Sequence, residues 1–243
     1  MKKLPKFSKG AILVEQKKPL VIDYIELPSE LSYGQVLVEI FVSGICGSQI
    51  GEIKGVKGKD NFLPHLLGHE GFGRVLSIGP GVKNVRDNDS VILHWRCGSG
   101  IQSQPPTYKW KGENLNAGWV TTFNQYAVIS ENRCTRVDSD LDPDIGALFG
   151  CAITTGFGVI ENNAKLKIGE SVAIFGSGGI GLNIVQASKL KSAYPIIAID
   201  IHNSRLDLAK KLGATHCINS REKNPEKEIL KILGDQGLDI FID

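Results

Sequence analysis

The sequence lacks the features that mark secreted and membrane proteins. Its five cysteines are odd in number and widely spaced among 243 residues, which argues against a disulfide framework and for a reducing compartment. No stretch approaches the roughly 18 apolar residues that a membrane-spanning helix needs. No apolar run of signal-peptide type follows the basic residues near the N-terminus. We therefore expect a cytoplasmic protein without membrane association.

The sequence also lacks an excess of charge of either sign. Lysine and arginine total 28 and aspartate and glutamate total 26, so the formal net charge is only +2. Because a basic surface is the usual requirement for binding nucleic acid, we expect no such partner. What is present is an ordinary globular composition, 42% hydrophobic with 28 glycines. The length allows one large domain or two ordinary ones.

The hydrophobic pattern changes near residue 150. Before it, short β-type runs such as QVLVEIFV (residues 35–42) are separated by turn residues, which predicts a small β-barrel or sandwich. After it, apolar strands alternate with helical patterns, which predicts a parallel sheet with crossover helices. We expect a β domain over residues 1–152 and a doubly wound domain over residues 153–243. The alternating elements are predicted at residues 171–175, 180–190, 195–199, 204–212 (with Ser204 as N-cap), 216–218, 226–233 and 239–242.

A glycine-rich loop, GSGGIG, lies between the first predicted strand and helix of the second part. In this context a GxGxxG string indicates dinucleotide binding, because the glycines allow a tight turn, close approach to a pyrophosphate and close helix packing. Asp200, at the end of the next predicted strand, can bind ribose hydroxyls and repel a 2′-phosphate, which favours NAD over NADP. A glycine turn without a dinucleotide is the alternative. The loop residues assigned to cofactor binding are Gly176, Gly178, Gly179, Ile180 and Gly181.

Three residues of the chain are candidate metal ligands. Cys46 lies in a glycine-flanked turn (VSGICGSQIG), His69 in LGHEG, and Cys151 in GCAITTG. Cysteine and histidine are preferred ligands of zinc, and three protein ligands with an open position make a catalytic site. Sequence spacing does not show that they converge. The alternatives are a buried apolar Cys46, a hydrogen-bonded structural His69, and a Cys151 that packs at a helix start.

The chain resembles the zinc-dependent medium-chain alcohol dehydrogenase family from near residue 10 to its last residue. The resemblance implies a GroES-like β-barrel catalytic domain followed by a Rossmann domain. It also implies hydride transfer between an alcohol or polyol and NAD at one catalytic zinc, bound by Cys46, His69 and Cys151. The motifs that carry it are GICGSQ, GHEGFGRV, Asp87 and Asp89 before VIL, CAITTG, and GSGGIG with Asp200.

The resemblance assigns roles to further residues. Ser48 takes the alcohol proton, and Glu70 is the acid that can approach the metal during ligand exchange. Thr155 lies beside the nicotinamide, and Arg205 lies near the adenosine end of the cofactor. The resemblance also implies a homo-oligomer for the complete protein.

Two positions behind the metal site depart from the family pattern. Gln49 stands where the family usually has an aspartate that orients the ligand histidine, and Gly51 stands where many members have a histidine of the proton relay. Changes in such supporting residues commonly lower affinity or activity about 10–100-fold.

The lobe formed by residues 96–118 also departs from the family. Where many members have four cysteines that bind a structural zinc, it has only Cys97, so we predict no structural zinc. We expect Tyr108, Trp110 and Trp119 to pack this lobe. The resemblance places His94 and Trp95 in the lining of the substrate cleft. We expect Cys134 and Cys217 to be structural cysteines.

The chain stops in the fourth predicted strand of the second domain, where the family continues, so we expect a C-terminally truncated chain. Two alternatives to the enzyme stay open. One is a non-catalytic truncated paralogue that binds zinc or nucleotide. The other is a zinc-free reductase of the quinone type, against which the combination of Cys46, His69 and Cys151 argues.

Overall fold

The computed structural model describes residues 5–243 and divides the chain into two compact units, Met1–Cys151 and Ala152–Asp243. Within the described range, no helix is long and apolar enough to cross a membrane.

The first unit is built from antiparallel strands. They form two five-stranded sheets, one of order β4-β1-β2-β7-β8 and one of order β10-β6-β5-β3-β9. Two helices are also present, α1 (Gly47–Lys54) and α2 (Pro143–Leu148). The strands are β1 (Phe7–Leu13), β2 (Val21–Glu26), β3 (Gln35–Ser43), β4 (His65–Leu66), β5 (Glu70–Ile78), β6 (Ser90–His94), β7 (Tyr108–Trp110), β8 (Glu113–Leu115), β9 (Tyr126–Ser130) and β10 (Cys134–Val137).

The first four residues of strand β3, residues 35–38, are buried, and their side chains pack on both faces of the sheet. Val36 and Val38 pack in one apolar cluster, and Leu37 packs in another with Ile12 and Ile25. Because successive side chains of a strand point to opposite faces, a strand between two cores needs an unbroken apolar run. This explains the apolar run at residues 36–38, whereas Glu39 is only partly buried and Phe41 is exposed.

The second unit contains a parallel sheet of order β13-β12-β11-β14. Val172 and Ile174 belong to one apolar cluster, and Ala173 belongs to another, so strand β11 is covered on both faces. The elements are β11 (Val172–Phe175), β12 (Ile196–Asp200), β13 (His216–Asn219), β14 (Ile240–Ile242), α3 (Ala152–Gly158), α4 (Gly179–Leu190), α5 (Asn203–Leu212) and α6 (Pro225–Leu233), with a π-helical turn at Val159–Ala164.

Some sequence expectations differ from the structure. Cys46 lies in a turn between Gly44 and Gly47 as expected, but helix α1, which the sequence analysis does not predict, begins directly after it at Gly47. Helix α5 begins at Asn203 with His202 as its N-cap, rather than with Ser204. Cys134 is buried, which fits the structural role expected of it, whereas Cys217 is exposed on β13, which lies at the edge of the sheet.

Candidate metal centre and dinucleotide loop

Cys46 is the N-cap residue of helix α1 and lies three residues after Ser43, the last residue of strand β3. Its backbone is extended, with φ −91° and ψ 152°. Its N–H donates to Gln49 Oε1 at 3.0 Å, and the Gln49 N–H donates to the Cys46 carbonyl at 3.1 Å. These reciprocal bonds resemble a capping box and fix where the helix begins. The Cys46 side chain is therefore held at the first turn of a helix.

His69 lies immediately before strand β5. The preceding Gly68 has φ +93°, and a Cβ there would lie 2.3 Å from Thr122 Oγ1, so only glycine fits this turn. His69 Nδ1 lies 2.5 Å from Gln49 Nε2, which ties the ring to helix α1. Burial lowers the pKa of His69 below its ordinary value, which favours the neutral imidazole that metals bind.

Cys151 is buried and lies at the end of the first unit. The preceding Gly150 packs against strands β5 and β6: a Cβ there would lie 2.3 Å from the Leu93 carbonyl oxygen and 2.6 Å from Glu70 Cα. This close approach is possible only for glycine, and it brings Cys151 to the strand that follows His69. The Cys151 and Cys46 sulfur atoms lie 3.9 Å apart.

The three candidate ligands converge. One ligand atom from each of Cys46, His69 and Cys151 lies within 4.8 Å of the others. His69 Nε2 is buried and has no hydrogen-bond partner within residues 5–243. A buried polar atom without a partner costs free energy, so its position beside two thiols indicates a place for a metal. Two thiols, one imidazole and no further ligand atom in the cluster fit a zinc site with an open position.

Two of the other predicted residues lie beside this cluster. Ser48 is on helix α1, and its Oγ is buried without a hydrogen-bond partner in the described part of the chain. Glu70 is buried at the start of strand β5, where its carbonyl accepts from the Gly44 N–H at 3.1 Å. Thr155 lies on helix α3 of the other unit.

His94 is satisfied by the protein at both ring nitrogens. Nδ1 lies 2.7 Å from the Arg96 carbonyl and Nε2 lies 2.9 Å from Thr135 Oγ1. Burial lowers the pKa of His94, the hydrogen bond to the Arg96 carbonyl raises it, and the positive charge of Arg133 lowers it further. These contacts favour a structural role over cleft lining. Trp95 is exposed, and its carbonyl accepts a hydrogen bond from Arg133.

The glycine loop of the second unit has the geometry that its sequence predicts. Gly176 follows strand β11 with φ +88°, and Gly178 is the N-cap of helix α4. A Cβ on Gly181 would lie 1.8 Å from the Gly176 carbonyl oxygen, so the helix can pack this closely only with glycine there. A Cβ on Gly178 or Gly179 would meet nothing within 4 Å among the described residues. Ile180 follows in the first turn of α4. The loop leaves open space at a helix N-terminus, which suits a phosphate group.

Asp200 lies at the carboxyl end of strand β12 and touches this loop. Its Oδ2 accepts from the Ser177 N–H at 2.8 Å, and its Oδ1 accepts from the His202 N–H at 2.9 Å. Arg205 lies 3.5 Å from Oδ2. Desolvation opposes ionisation, but the two N–H bonds and the Arg205 charge hold the pKa of Asp200 below its usual range. The carboxylate is therefore ionised at neutral pH.

Sequence reasoning missed a cavity of about 760 Å³ in the first unit. Gly51 on helix α1 lines it, together with Asp60, His65 and Trp119. His65 Nε2 lies 2.8 Å from Asp60 Oδ2. Asp60 and His65 are five residues apart in a loop and form no recognisable motif, so the available signal was the cluster of polar residues after α1.

Comparison with known proteins agrees with this architecture. Residues 32–139 match the alcohol dehydrogenase GroES-like domain, and residues 179–243 match the zinc-binding dehydrogenase family. The chain is 32% identical to an S-(hydroxymethyl)glutathione dehydrogenase of Synechocystis, over 96% of this chain and 69% of that protein. A protein of the same name from Escherichia coli O139:H28 is 31% identical over the same shares.

Solved structures give the same result. An alcohol dehydrogenase zinc-binding domain protein from Burkholderia ambifaria superposes with a TM-score of 0.85 at 28% identity, over 93% of this chain and 67% of that one. Benzyl alcohol dehydrogenase from Acinetobacter calcoaceticus gives 0.82 at 28% identity, over 94% and 68%. The first unit is therefore a GroES-like β-barrel domain, and the second is a partial Rossmann domain, as predicted.

Proposed function

The chain belongs to the zinc-dependent medium-chain alcohol dehydrogenase family, and we propose that Cys46, His69 and Cys151 hold its one catalytic zinc. The family's enzymes are oxidoreductases that act on CH–OH donors with zinc and a nicotinamide dinucleotide. The substrate class proposed for this chain is an alcohol or polyol, with NAD as the hydride acceptor.

The observation that carries the proposal is the convergence of three ligand atoms within 4.8 Å around a buried nitrogen that has no partner among the described residues. A zinc-free reductase has no use for such a cluster. The metal supplies a Lewis acid that lowers the pKa of an alcohol hydroxyl, and the cofactor supplies the hydride acceptor.

Ser48 is the proposed acceptor of the alcohol proton. It lies two residues after Cys46 on helix α1, and its buried Oγ lacks a hydrogen-bond partner in the described structure. A hydroxyl in that state is available to a substrate hydroxyl. Gly51, one turn further, lines the cavity, so the cavity reaches the helix that carries Ser48. We propose that this cavity admits the substrate and that Glu70 serves ligand exchange.

The cofactor is proposed to be NAD. An ionised Asp200 at the end of strand β12 accepts hydrogen bonds from ribose hydroxyls and repels a 2′-phosphate. Arg205 and Thr155 are proposed to contact the adenosine end and the nicotinamide. The absence of a four-cysteine set in the sequence of the 96–118 lobe supports a single zinc per chain. A homo-oligomer in the cytoplasm is the proposed form of the complete protein.

Metal analysis tests the proposal. We expect about one zinc per chain in the wild-type protein and loss of that zinc in Cys46→Ser, because two ligands bind zinc far more weakly than three. Cys217→Ser is the matched control, since Cys217 is exposed and lies in the second unit. A folded wild-type protein without zinc, or equal zinc in the two variants, would contradict it.

A further inference from the structure

Gln49 is the residue that connects two of the candidate ligands. It is buried on helix α1, and its amide makes two contacts. Oε1 accepts from the Cys46 N–H at 3.0 Å, and Nε2 lies 2.5 Å from His69 Nδ1. The first is an ordinary hydrogen bond, and the second is a polar contact closer than the usual donor–acceptor distance, so the two nitrogen atoms face each other directly.

The orientation of this amide follows from the donors and acceptors around it. A backbone N–H can only donate, so the Cys46 N–H requires the one oxygen of the Gln49 amide. The NH₂ group then faces His69. Because an amide NH₂ can only donate, His69 Nδ1 must accept, and in a neutral imidazole the proton then sits on the other nitrogen.

We infer that Gln49 is a positioning residue that holds metal-free His69 in the tautomer with its proton on Nε2. That nitrogen is buried and has no hydrogen-bond partner in residues 5–243, and it is the one left for a metal. Metal binding through Nε2 requires the proton to move to Nδ1. Nδ1–H and the Gln49 NH₂ would then be two donors facing each other. The amide must therefore either move away from the ring or turn its oxygen toward Nδ1–H and give up the hydrogen bond from the Cys46 N–H.

A carboxylate at this position would behave differently. Its two oxygens accept from the Cys46 N–H and from Nδ1–H together, which favours the tautomer that binds metal. Gln49 differs from glutamate by one NH₂ in place of one oxygen, with the same shape. Gln49 therefore lowers the metal affinity of the site, and Gln49→Glu should restore it.

This inference rests on the proposed zinc site, but its first measurement needs no metal. Long-range ¹H–¹⁵N correlation of ¹⁵N-histidine protein at about pH 8, above the ordinary histidine pKa, reports the tautomer of each ring. We expect Nε2–H for His69 in the metal-free wild type and Nδ1–H in Gln49→Glu. A His69→Asn variant assigns the signal among the five histidines.

Zinc titration is the second measurement. We expect Gln49→Glu to bind zinc about 10–100-fold more tightly than the wild type. Gln104→Glu, at an exposed position of the same unit, adds the same charge and should change affinity less than threefold. An Nδ1–H tautomer in the metal-free wild type, or equal affinity in Gln49→Glu and Gln104→Glu, would overturn the inference. Failure of every variant to bind zinc would instead remove the proposed function.

Discussion

The cluster of Cys46, His69 and Cys151 and the 96–118 lobe differ in how their buried polar atoms are satisfied. In the cluster, His69 Nε2 has no partner within the described residues. Around the lobe, the buried Glu131 carboxylate accepts three backbone N–H groups: Oε1 from Lys83 at 2.6 Å and Asn84 at 2.8 Å, and Oε2 from Ile101 at 2.7 Å. An unsatisfied atom indicates a place for a ligand, whereas a saturated one indicates a structure that stands without one.

The lobe has further bonds of this kind. The Ser103 N–H donates to Ser130 Oγ at 2.9 Å, and the Trp119 indole N–H donates to the Ser103 carbonyl at 3.0 Å. Tyr108 is fully buried, and its hydroxyl accepts from the Val128 N–H at 2.7 Å. Burial raises its pKa to about 12, although the hydrogen bond from the Val128 N–H lowers it. Side-chain and backbone bonds thus hold a region in which many family members use a metal.

Removing zinc with a chelator should give the largest difference between the two regions: activity at the metal cluster should be lost, and the 96–118 lobe should be unaffected. A Lewis acid contributes several kcal/mol to the reaction, so we expect NAD-dependent alcohol oxidation to fall more than about a thousandfold. Hydrogen exchange at the Ile101 and Ser103 amides should stay unchanged, because their acceptors are Glu131 and Ser130. Faster exchange there after chelation would show that the lobe also depends on metal.

Glu131→Gln should destabilise the lobe without changing the zinc content. The glutamine amide has only one acceptor oxygen. Its NH₂ group would therefore face at least one of the backbone N–H groups that donate to the carboxylate in the wild type. We expect the free energy of unfolding to fall by about 1–3 kcal/mol, with zinc content unchanged. Glu113→Gln, at an exposed position of strand β8, is the matched control and should change it by less than about 0.5 kcal/mol.

The pH dependence of stability in the wild type and in Glu131→Gln gives a further test. Desolvation raises the pKa of Glu131, but the bonds from Lys83, Asn84 and Ile101 outweigh it, so the pKa is lowered. A lowered pKa in the folded state means that the carboxylate stabilises the protein above its unfolded pKa of about 4.3, and that this stability is lost as pH falls through the folded value. Denaturation from pH 7 to 3 should therefore show the wild-type advantage over Glu131→Gln shrinking below about pH 4. A constant difference would contradict the role assigned to Glu131.

The contrast between these regions also shows what a sequence can predict. The strand at Val172–Phe175 and the glycine loop were predicted because their interactions are local: a strand, a turn and a helix start lie within a few residues. Asp200 was predicted from its position at the end of the next strand, β12. Helix α1 was missed because Gly47 and Gly51 have low helix propensity. Its start is stabilised instead by the reciprocal bonds between Cys46 and Gln49.

Long-range contacts were beyond prediction for a different reason. Glu131 meets Asn84 and Ile101 across 47 and 30 residues, and no pattern in the sequence pairs them. The three candidate ligands are likewise distant in the sequence, so only the family resemblance suggested that they converge. The assignment of each to zinc stays a prediction until metal content is measured.

Cys97→Ser gives the smallest expected effect and tests the lobe's independence from metal most directly. Cys97 is exposed, and it is the only cysteine of residues 96–118. Because an exposed thiol away from a core or a bonding network contributes little, we expect the free energy of unfolding to change by less than about 0.5 kcal/mol. Zinc content should remain about one per chain, since a single thiol cannot form a tetrahedral site. A loss of zinc in this variant, as large as in Cys46→Ser, would place a metal in the lobe and reverse the distinction between the two regions.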